Sequence, residues 1–350
     1  MIQFIDLATQ YKHLKEEIDA NIQKVLNNGR YIMGPEVMEL EKKLGEYVGA
    51  KHVITCSNGT DALLLPLMAW GIGPGDAVFT TPFTFMATAE VISLLGATPV
   101  FVDIDPDTYN INPKLLGKAI SKVLKDGKLT PKAIIPVDLF GLSADYDGIN
   151  EVASKYGLKI LEDAAQAFGA IYKGRKACSF GDAAATSFFP AKPLGCYGDG
   201  GAIFTNDDEL ASKLKSIRVH GQGSDKYENV RIGLNARLDT VQAAVLLPKL
   251  AAFDGEVKAR NLAAARYTEE LEGLFKTPLV PEGYLSVWAQ YSILAENSEQ
   301  RSLCQEKLKA AGIPTMVYYQ KSLHLQDAFK HLGYKHGDLP VAEEVSRRIF

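Results

Sequence analysis

The sequence is short of cysteine and tryptophan and has no surplus of either charge. Its 350 residues include four cysteines, Cys56, Cys178, Cys196 and Cys304, with no CxxC pair and no histidine at metal-ligand spacing. That pattern argues against a disulfide-built scaffold and against a structural metal site, so reduced thiols and no bound metal are expected. Lys and Arg number 38 against 42 Asp and Glu, a net charge of −4, which offers no basic field to a nucleic-acid backbone or an anionic membrane. Long hydrophobic runs are missing too. Stretches such as 243–248 fall far short of the roughly 20 apolar residues that cross a bilayer. The opening MIQFIDLATQYKHLKEE lacks the basic head and apolar stretch of a signal peptide, so a cytoplasmic protein is expected. Low-complexity blocks and internal repeats are also absent. What remains is an ordinary globular composition, 47% hydrophobic and 23% charged, at a length that suggests two domains.

The first half alternates short apolar runs with amphipathic segments. Strands are expected at 52–56, 77–80, 99–102, 133–137 and 159–161, with helices at 59–70, 84–95, 114–123 and 146–156 and an opening helix near 11–26. Alternation of this kind is the mark of an α/β protein with a mostly parallel sheet. From Asp239 to about Leu271 good helix formers dominate, with Pro248 expected as a kink or joint. A shorter unit follows: strand 290–294, helix 298–311, strand 315–319. The chain therefore divides into a large domain, 1–250, and a smaller C-terminal α/β domain, 251–350.

Three stretches carry chemistry. In SNGTDALLL at 57–65 a strand gives way to a helix. Free N–H groups there make an anion site, Gly59 allows close approach of a phosphate, and a plain N-cap is the alternative. In KILEDAAQAFGA at 159–170, Asp163 follows an apolar strand at the sheet edge where ligands bind. A buried carboxylate needs a cationic partner, either a structural arginine or a ligand atom. Between Asp182 and Asp199, Lys192 is the only charged residue. A lysine shielded from water has a lowered pKa and can act as a nucleophile, unless it reaches the surface. Together, a phosphate cradle, a strand-end acid and a shielded lysine are what pyridoxal 5′-phosphate requires. No GxGxxG follows the first strand, which argues against a nicotinamide enzyme.

With those residues in view, the chain resembles the sugar aminotransferases of the DegT/DnrJ/EryC1/StrS type, a family of fold-type I pyridoxal phosphate enzymes. The resemblance runs through FIDLATQY, GPEV at 34–37, SNGTDAL, TPFTFMATAE at 81–90, FVDIDPDTYNI, EDAAQAFGA, SFFPAKPLGCYGDGGAIFTND and GLNARLDTVQAAVLLPKL at 233–250. It implies a seven-stranded, mostly parallel sheet sandwiched by helices. It also implies roles: Lys192 as the Schiff-base lysine, Asp163 on the pyridine nitrogen, Gln166 near the ring oxygen and Phe85 stacked on the ring. Gly59, Thr60 and Ser187 would hold the phosphate, and Asn235 would reach it from a neighbouring subunit. A homodimer with shared active sites follows from that last role, with pyridoxamine 5′-phosphate as the intermediate cofactor form.

Within the family the chain is most similar to enzymes acting on UDP-2-acetamido-2-deoxy-3-oxo-glucuronic acid, with L-glutamate as amino donor. Both substrates carry a carboxylate, and a guanidinium is its bidentate partner. Arg237, two residues after Asn235, is the candidate, with pairing to Asp239 the alternative. Tyr318 and Tyr319 are candidate substrate contacts, although relatives often have His at the former position and Pro where Gln320 stands. His220 is expected as a turn residue. Relatives usually continue past RRIF at 347–350 with a further strand and helix, which implies an incomplete small domain. The alternatives are a dTDP-linked 3- or 4-keto-deoxysugar as substrate, or a non-catalytic relative with a regulatory role. Surface polysaccharide or O-antigen synthesis is the family's expected pathway.

Overall fold

A computed structural model describes residues 2–225 and 227–350. Helices α1 (Leu7–Asn28) and α2 (Pro35–Val48) precede β1 (His52–Cys56), α3 (Gly59–Ala69), β2 (Asp76–Thr80), α4 (Ala87–Leu94) and β3 (Thr98–Phe101). The chain continues through α5 (Pro113–Asp126), β4 (Thr130–Ile135), α6 (Tyr146–Tyr156), β5 (Lys159–Asp163) and the short β6 (Ile171–Tyr172) and β7 (Arg175–Lys176). Then come β8 (Ala183–Ser187), β9 (Gly201–Thr205), α7 (Asp208–Ile217), the long α8 (Thr240–Leu271), β10 (Tyr284–Leu285), α9 (Ser298–Ala310) and α10 (Pro340–Arg348).

Seven strands form one sheet in the order β1-β9-β8-β5-β4-β2-β3, in which β9 alone runs against the rest. Alternation along the strands sends side chains into two helical layers. Val53 joins the cluster built by α2 and α8, whereas Ile54 joins the one built by α3 and α7. Ala77 and Phe79 likewise face α5 and α6 while Val78 faces the other way. A period of two with both faces covered is what a buried sheet demands. The carboxyl ends of β1, β5 and β8 consequently lie along one edge of the sheet, where Cys56, Asp163 and Ser187 end their strands.

Several expected elements shift. Strand β4 stops at Ile135 because Pro136 has no N–H to donate to a ladder. Strands β8 and β9 were not anticipated, since AAATS and GAIFT lack the β-branched runs that advertise strands. The expected strands at 290–294 and 315–319 are not ladders among the described residues. The first is held only by isolated bridges, Leu294 to Lys276 and Ile349. The second packs Val317, Tyr318 and Tyr319 onto the Phe83 cluster. A single helix, α8, runs across Pro248, and the Asn21 side chain donates at 3.3 Å to the Ala244 carbonyl that proline leaves without its helical donor.

The C-terminal part is fastened back to the earlier chain by a separate small sheet, ordered β10-β6-β7, and by a helix cap. Tyr284 in β10 pairs with Tyr172 in β6, and the Asp103 carboxylate accepts the first-turn N–H groups of Val341 and Ala342 at 2.9 Å. An anion at a helix N-terminus satisfies both the free donors and the dipole. Among the described residues no helix is long and apolar enough to cross a membrane.

Candidate active site

The turn after β1 opens α3. Asn58 caps it, its side chain accepting the Asp61 N–H at 2.7 Å. The N–H groups of Gly59 and Thr60 lie in the first turn, where no helical carbonyl can reach them. Ser187, at the end of β8, faces them closely: a Cβ on Gly59 would stand 2.6 Å from the Ser187 Cβ. The cap expected as one alternative in the sequence is therefore present, and it does not use the Gly59 and Thr60 N–H groups. Asn58 does the capping and leaves the Gly59–Thr60 backbone facing Ser187.

Glu162 and Asp163 sit on opposite faces of β5. Glu162 is wholly buried and accepts the Cys178 and Phe180 N–H groups at 2.7 and 2.8 Å. Asp163 turns toward α4, where Thr88 donates its hydroxyl at 2.8 Å to one oxygen and the Ala165 N–H reaches the other at 3.2 Å. No arginine pairs with it among the described residues. Burial raises its pKa, an effect that Thr88, Ala165 and the charge of Lys192 partly oppose. Lys192 is half-buried in the loop between β8 and β9. Its pKa is lowered by burial and pulled back up by Asp163. Burial thus works against the charge of both groups, and each partly offsets that effect on the other.

Gln166, also buried, accepts the Phe140 N–H at 2.7 Å and donates to the Tyr319 hydroxyl at 3.0 Å. That second bond ties the sheet edge to residues 315–326. Phe85 leaves its ring exposed and lines, with Tyr319, a groove of about 750 Å³. A second cleft, of about 650 Å³, opens beside Lys192 between Gln10, His13, Glu256, Arg260 and Trp288. Both volumes fall in the range of small-molecule sites, about 300–1,000 Å³.

Two expected members stand apart. Asn235 is exposed, and its side-chain oxygen accepts from Arg237 Nε at 3.0 Å and Nη2 at 2.6 Å. Asp239 is not the partner of Arg237 among the described residues, and neither Asn235 nor Arg237 is hydrogen-bonded to Lys192, Asp163 or the Gly59 turn. Tyr318 is half-buried, its ring 5.7 Å from that of Tyr319. His220 adopts a left-handed turn conformation, φ 56°. Sequence reasoning missed Thr88, which lies one helical turn past Thr84 and 75 residues from the acid it bonds. Trp288 and Gln10, which line the cleft beside Lys192, were missed too, because nothing local marks them. No group of three or more His, Cys, Asp or Glu able to hold a metal occurs among the described residues.

The model of the DegT/DnrJ/EryC1/StrS aminotransferase family matches residues 12–350. A UDP-2-acetamido-2-deoxy-3-oxo-D-glucuronate aminotransferase of Pseudomonas aeruginosa is 51% identical over 350 residues, covering 100% of this chain and 94% of its own. Among solved structures, a DegT DnrJ EryC1 StrS aminotransferase from Brucella abortus has a TM-score of 0.97 and 56% identity, covering 100% of this chain and 93% of that one. NtdA of Bacillus subtilis, with bound cofactor PMP, has a TM-score of 0.87 and 31% identity over 95% of this chain and 76% of its own. A family match over nearly the whole length, together with a relative 51% identical along all of it, places this chain in the DegT/DnrJ/EryC1/StrS aminotransferase family.

Proposed function

We propose that the chain is a pyridoxal phosphate-dependent aminotransferase that moves the amino group of L-glutamate to C3 of UDP-2-acetamido-2-deoxy-3-oxo-glucuronic acid. The observation that carries the chemistry is Asp163, a buried carboxyl group with no cation bonded to it among the described residues, set within electrostatic reach of Lys192. The Pseudomonas aeruginosa relative supports the choice of sugar.

The residues fit the cofactor. The Gly59 and Thr60 N–H groups and the Ser187 hydroxyl would form an anion cradle for its phosphate, and a Cβ at position 59 would collide with Ser187 in it. Asp163 offers the counter-charge for a protonated pyridine nitrogen. Gln166 and the exposed Phe85 would flank the ring. Gly59→Ala is expected to weaken binding of pyridoxal phosphate about tenfold, since overpacking costs about 1–3 kcal/mol. Titration of the cofactor-free protein checks this, and an unchanged affinity removes Gly59 from the cradle.

When bound, pyridoxal phosphate supplies an electron sink for the carbanion left as the donor Cα–H bond breaks. Lys192 does the proton transfer. Burial lowers its pKa, so a larger share of its Nζ is neutral near pH 7 and able to take the Cα proton. In the sugar half-reaction the same nitrogen would return a proton to C3. The Asp163 carboxyl group, oriented by Ala165 and Thr88, would hold the proton of the ring nitrogen. Glutamate leaves as 2-oxoglutarate and the keto-sugar leaves as the amino-sugar.

Asn235 and Arg237 serve a second copy of the chain in this reading. They lie on the surface next to strongly exposed apolar side chains, Val230 and Ile232, the latter 86% exposed. Tyr31 and Ile32, also exposed, reach the same strip through the Ile32–Asp239 bridge. Such a patch needs cover in water. Across a dimer interface Asn235 would reach the partner's phosphate cradle, and Arg237 would meet the substrate's uronate carboxylate. A mass of one chain in light scattering would overturn this.

The test of function is a single half-reaction. Purified protein loaded with pyridoxal phosphate and given glutamate alone is expected to release one equivalent of 2-oxoglutarate per subunit, with a change in visible absorption. Adding the UDP-linked 3-oxo-glucuronate should restore the first spectrum faster than a dTDP-linked keto-deoxysugar does. Absence of 2-oxoglutarate would sink the reading. Faster restoration by the dTDP sugar would move the substrate assignment.

A further inference from the structure

The loop that presents Lys192, residues 188–200, has no regular secondary structure of eight residues or more to hold it. Its polar backbone must find partners elsewhere. Three of them come from α8. Gln242 accepts the Tyr197 N–H at 2.9 Å and donates to the Tyr197 carbonyl at 3.3 Å. Lys249 donates its ammonium to the Gly195 carbonyl. Arg260 donates to the Pro193 carbonyl at 3.3 Å. These residues are spaced by seven and eleven positions, about two and three turns at 3.6 residues per turn, so they share one face of α8.

Lys249 is the member that a purely structural helix would not choose. It is 2% exposed, and no carboxylate forms a salt bridge with it among the described residues. Besides the Gly195 carbonyl, its nitrogen lies 4.9 Å from the centre of the Tyr197 ring. Burial lowers its pKa to about 8. A buried ammonium is expensive, and a leucine or methionine would pack there more cheaply. The fold keeps a strong, charge-assisted donor aimed at a carbonyl three residues from Lys192.

We propose that Lys249 is a positioning residue for Lys192: by pinning Gly195, together with Gln242 on Tyr197 and Arg260 on Pro193, it sets where the Lys192 amine stands and how far water is kept from it. This rests on the proposed aminotransferase function and adds to it a residue that never touches cofactor or substrate. Without the pin the loop loosens, water reaches Lys192, and its depressed pKa rises toward the ordinary value.

The experiment uses the full chain loaded with pyridoxal phosphate, comparing the parent with Lys249→Met, Lys249→Arg and Gln242→Ala. Single-turnover release of 2-oxoglutarate from glutamate is followed across pH, alongside cofactor stoichiometry and thermal melting. Lys249→Met is expected to load cofactor as the parent does and to bind glutamate within about twofold. Its half-reaction should slow about tenfold, the scale of a small misplacement of a reacting group. The acid limb of the pH profile, which reports neutral Lys192, should move to higher pH. Lys249→Arg should recover most of the rate, and Gln242→Ala should move the limb the same way by less.

A Lys249→Met protein with a rate within twofold of the parent and an unmoved limb overturns the proposal. So does a rate that falls only in proportion to lost cofactor or lost melting temperature. If Lys249→Met does not fold, an unmoved limb in Gln242→Ala overturns it. A parent that releases no 2-oxoglutarate sinks the aminotransferase reading instead, and the two failures are thereby told apart.

Discussion

Lys192→Ala is expected to abolish turnover, with a loss on the order of 10⁴-fold or more in the glutamate half-reaction. In the proposed function two roles leave with one side chain: the covalent anchor of the cofactor and the base that takes the donor's Cα proton. A positioned general base alone is worth about 10²–10⁴-fold, and effects of groups acting as a unit do not add simply. The variant should still fold. Lys192 is half-buried, and its backbone N–H closes a turn within the loop by donating to the Phe189 carbonyl at 2.8 Å, a bond that does not need the side chain. Neither Lys249 nor Gln242 depends on its side chain. The Gly59–Ser187 cradle is untouched, so pyridoxal phosphate should bind weakly and wash out on dialysis. Rapid-quench measurement of 2-oxoglutarate, with absorbance before and after dialysis, checks both halves. A variant that keeps a tenth of the parental rate would mean that another group moves the proton.

The same lysine shows why some of this site was legible in the sequence. It is the one charge between Asp182 and Asp199, and a lone charge in an apolar stretch has few places to go but a shielded pocket. Asp163 was legible because five strands of the sheet advertise themselves as apolar runs, which locates the carboxyl edge. The order in which strands meet was not. Strand β9 enters between β1 and β8 and brings Gly201 up to the Asn58 carbonyl, where a Cβ would stand 2.4 Å away. That contact spans a long stretch of sequence and leaves no local pattern. Thr88 is invisible for the same reason: a threonine on α4 looks like any other until β5 places an acid opposite it. Asn235 and Arg237 mark a different limit. Within one chain they bond only each other among the described site residues, so their roles came from family resemblance and depend on a second copy. The face of α8 that holds the Lys192 loop was readable in principle. Gln242, Lys249 and Arg260 recur at helical spacing, but the apolar residues around them suggested only packing.

Asp163→Asn should separate stability from function. The asparagine is nearly isosteric and the site can accept it. Its carbonyl takes the Ala165 N–H, and its amide donates to the Thr88 hydroxyl, which can turn its own proton toward Thr84 at 3.1 Å. In the cofactor-free protein the change should stabilise. Burial raises the folded-state pKa of Asp163 above its unfolded value. Its contribution to stability is therefore fully present below the unfolded pKa and is lost as pH rises through the folded pKa. A neutral amide does not undergo that loss, so the melting temperature of the variant should exceed the parent's by more at pH 8 than near pH 4, close to the unfolded pKa. With pyridoxal phosphate bound the order reverses. The carboxylate would then have its cation, and removing its charge would leave the ring-nitrogen proton without a counter-charge. Loss of one preorganised electrostatic group of this kind lowers rates by about 10²–10³-fold. The half-reaction should fall by that factor while glutamate binding changes little, because the lost interaction strengthens toward the transition state. Melting curves at the two pH values and single-turnover rates decide the matter. A cofactor-free variant that is less stable than the parent at pH 8 would show that Asp163 has a structural cation after all. Full activity would show that the acid does not serve the ring nitrogen.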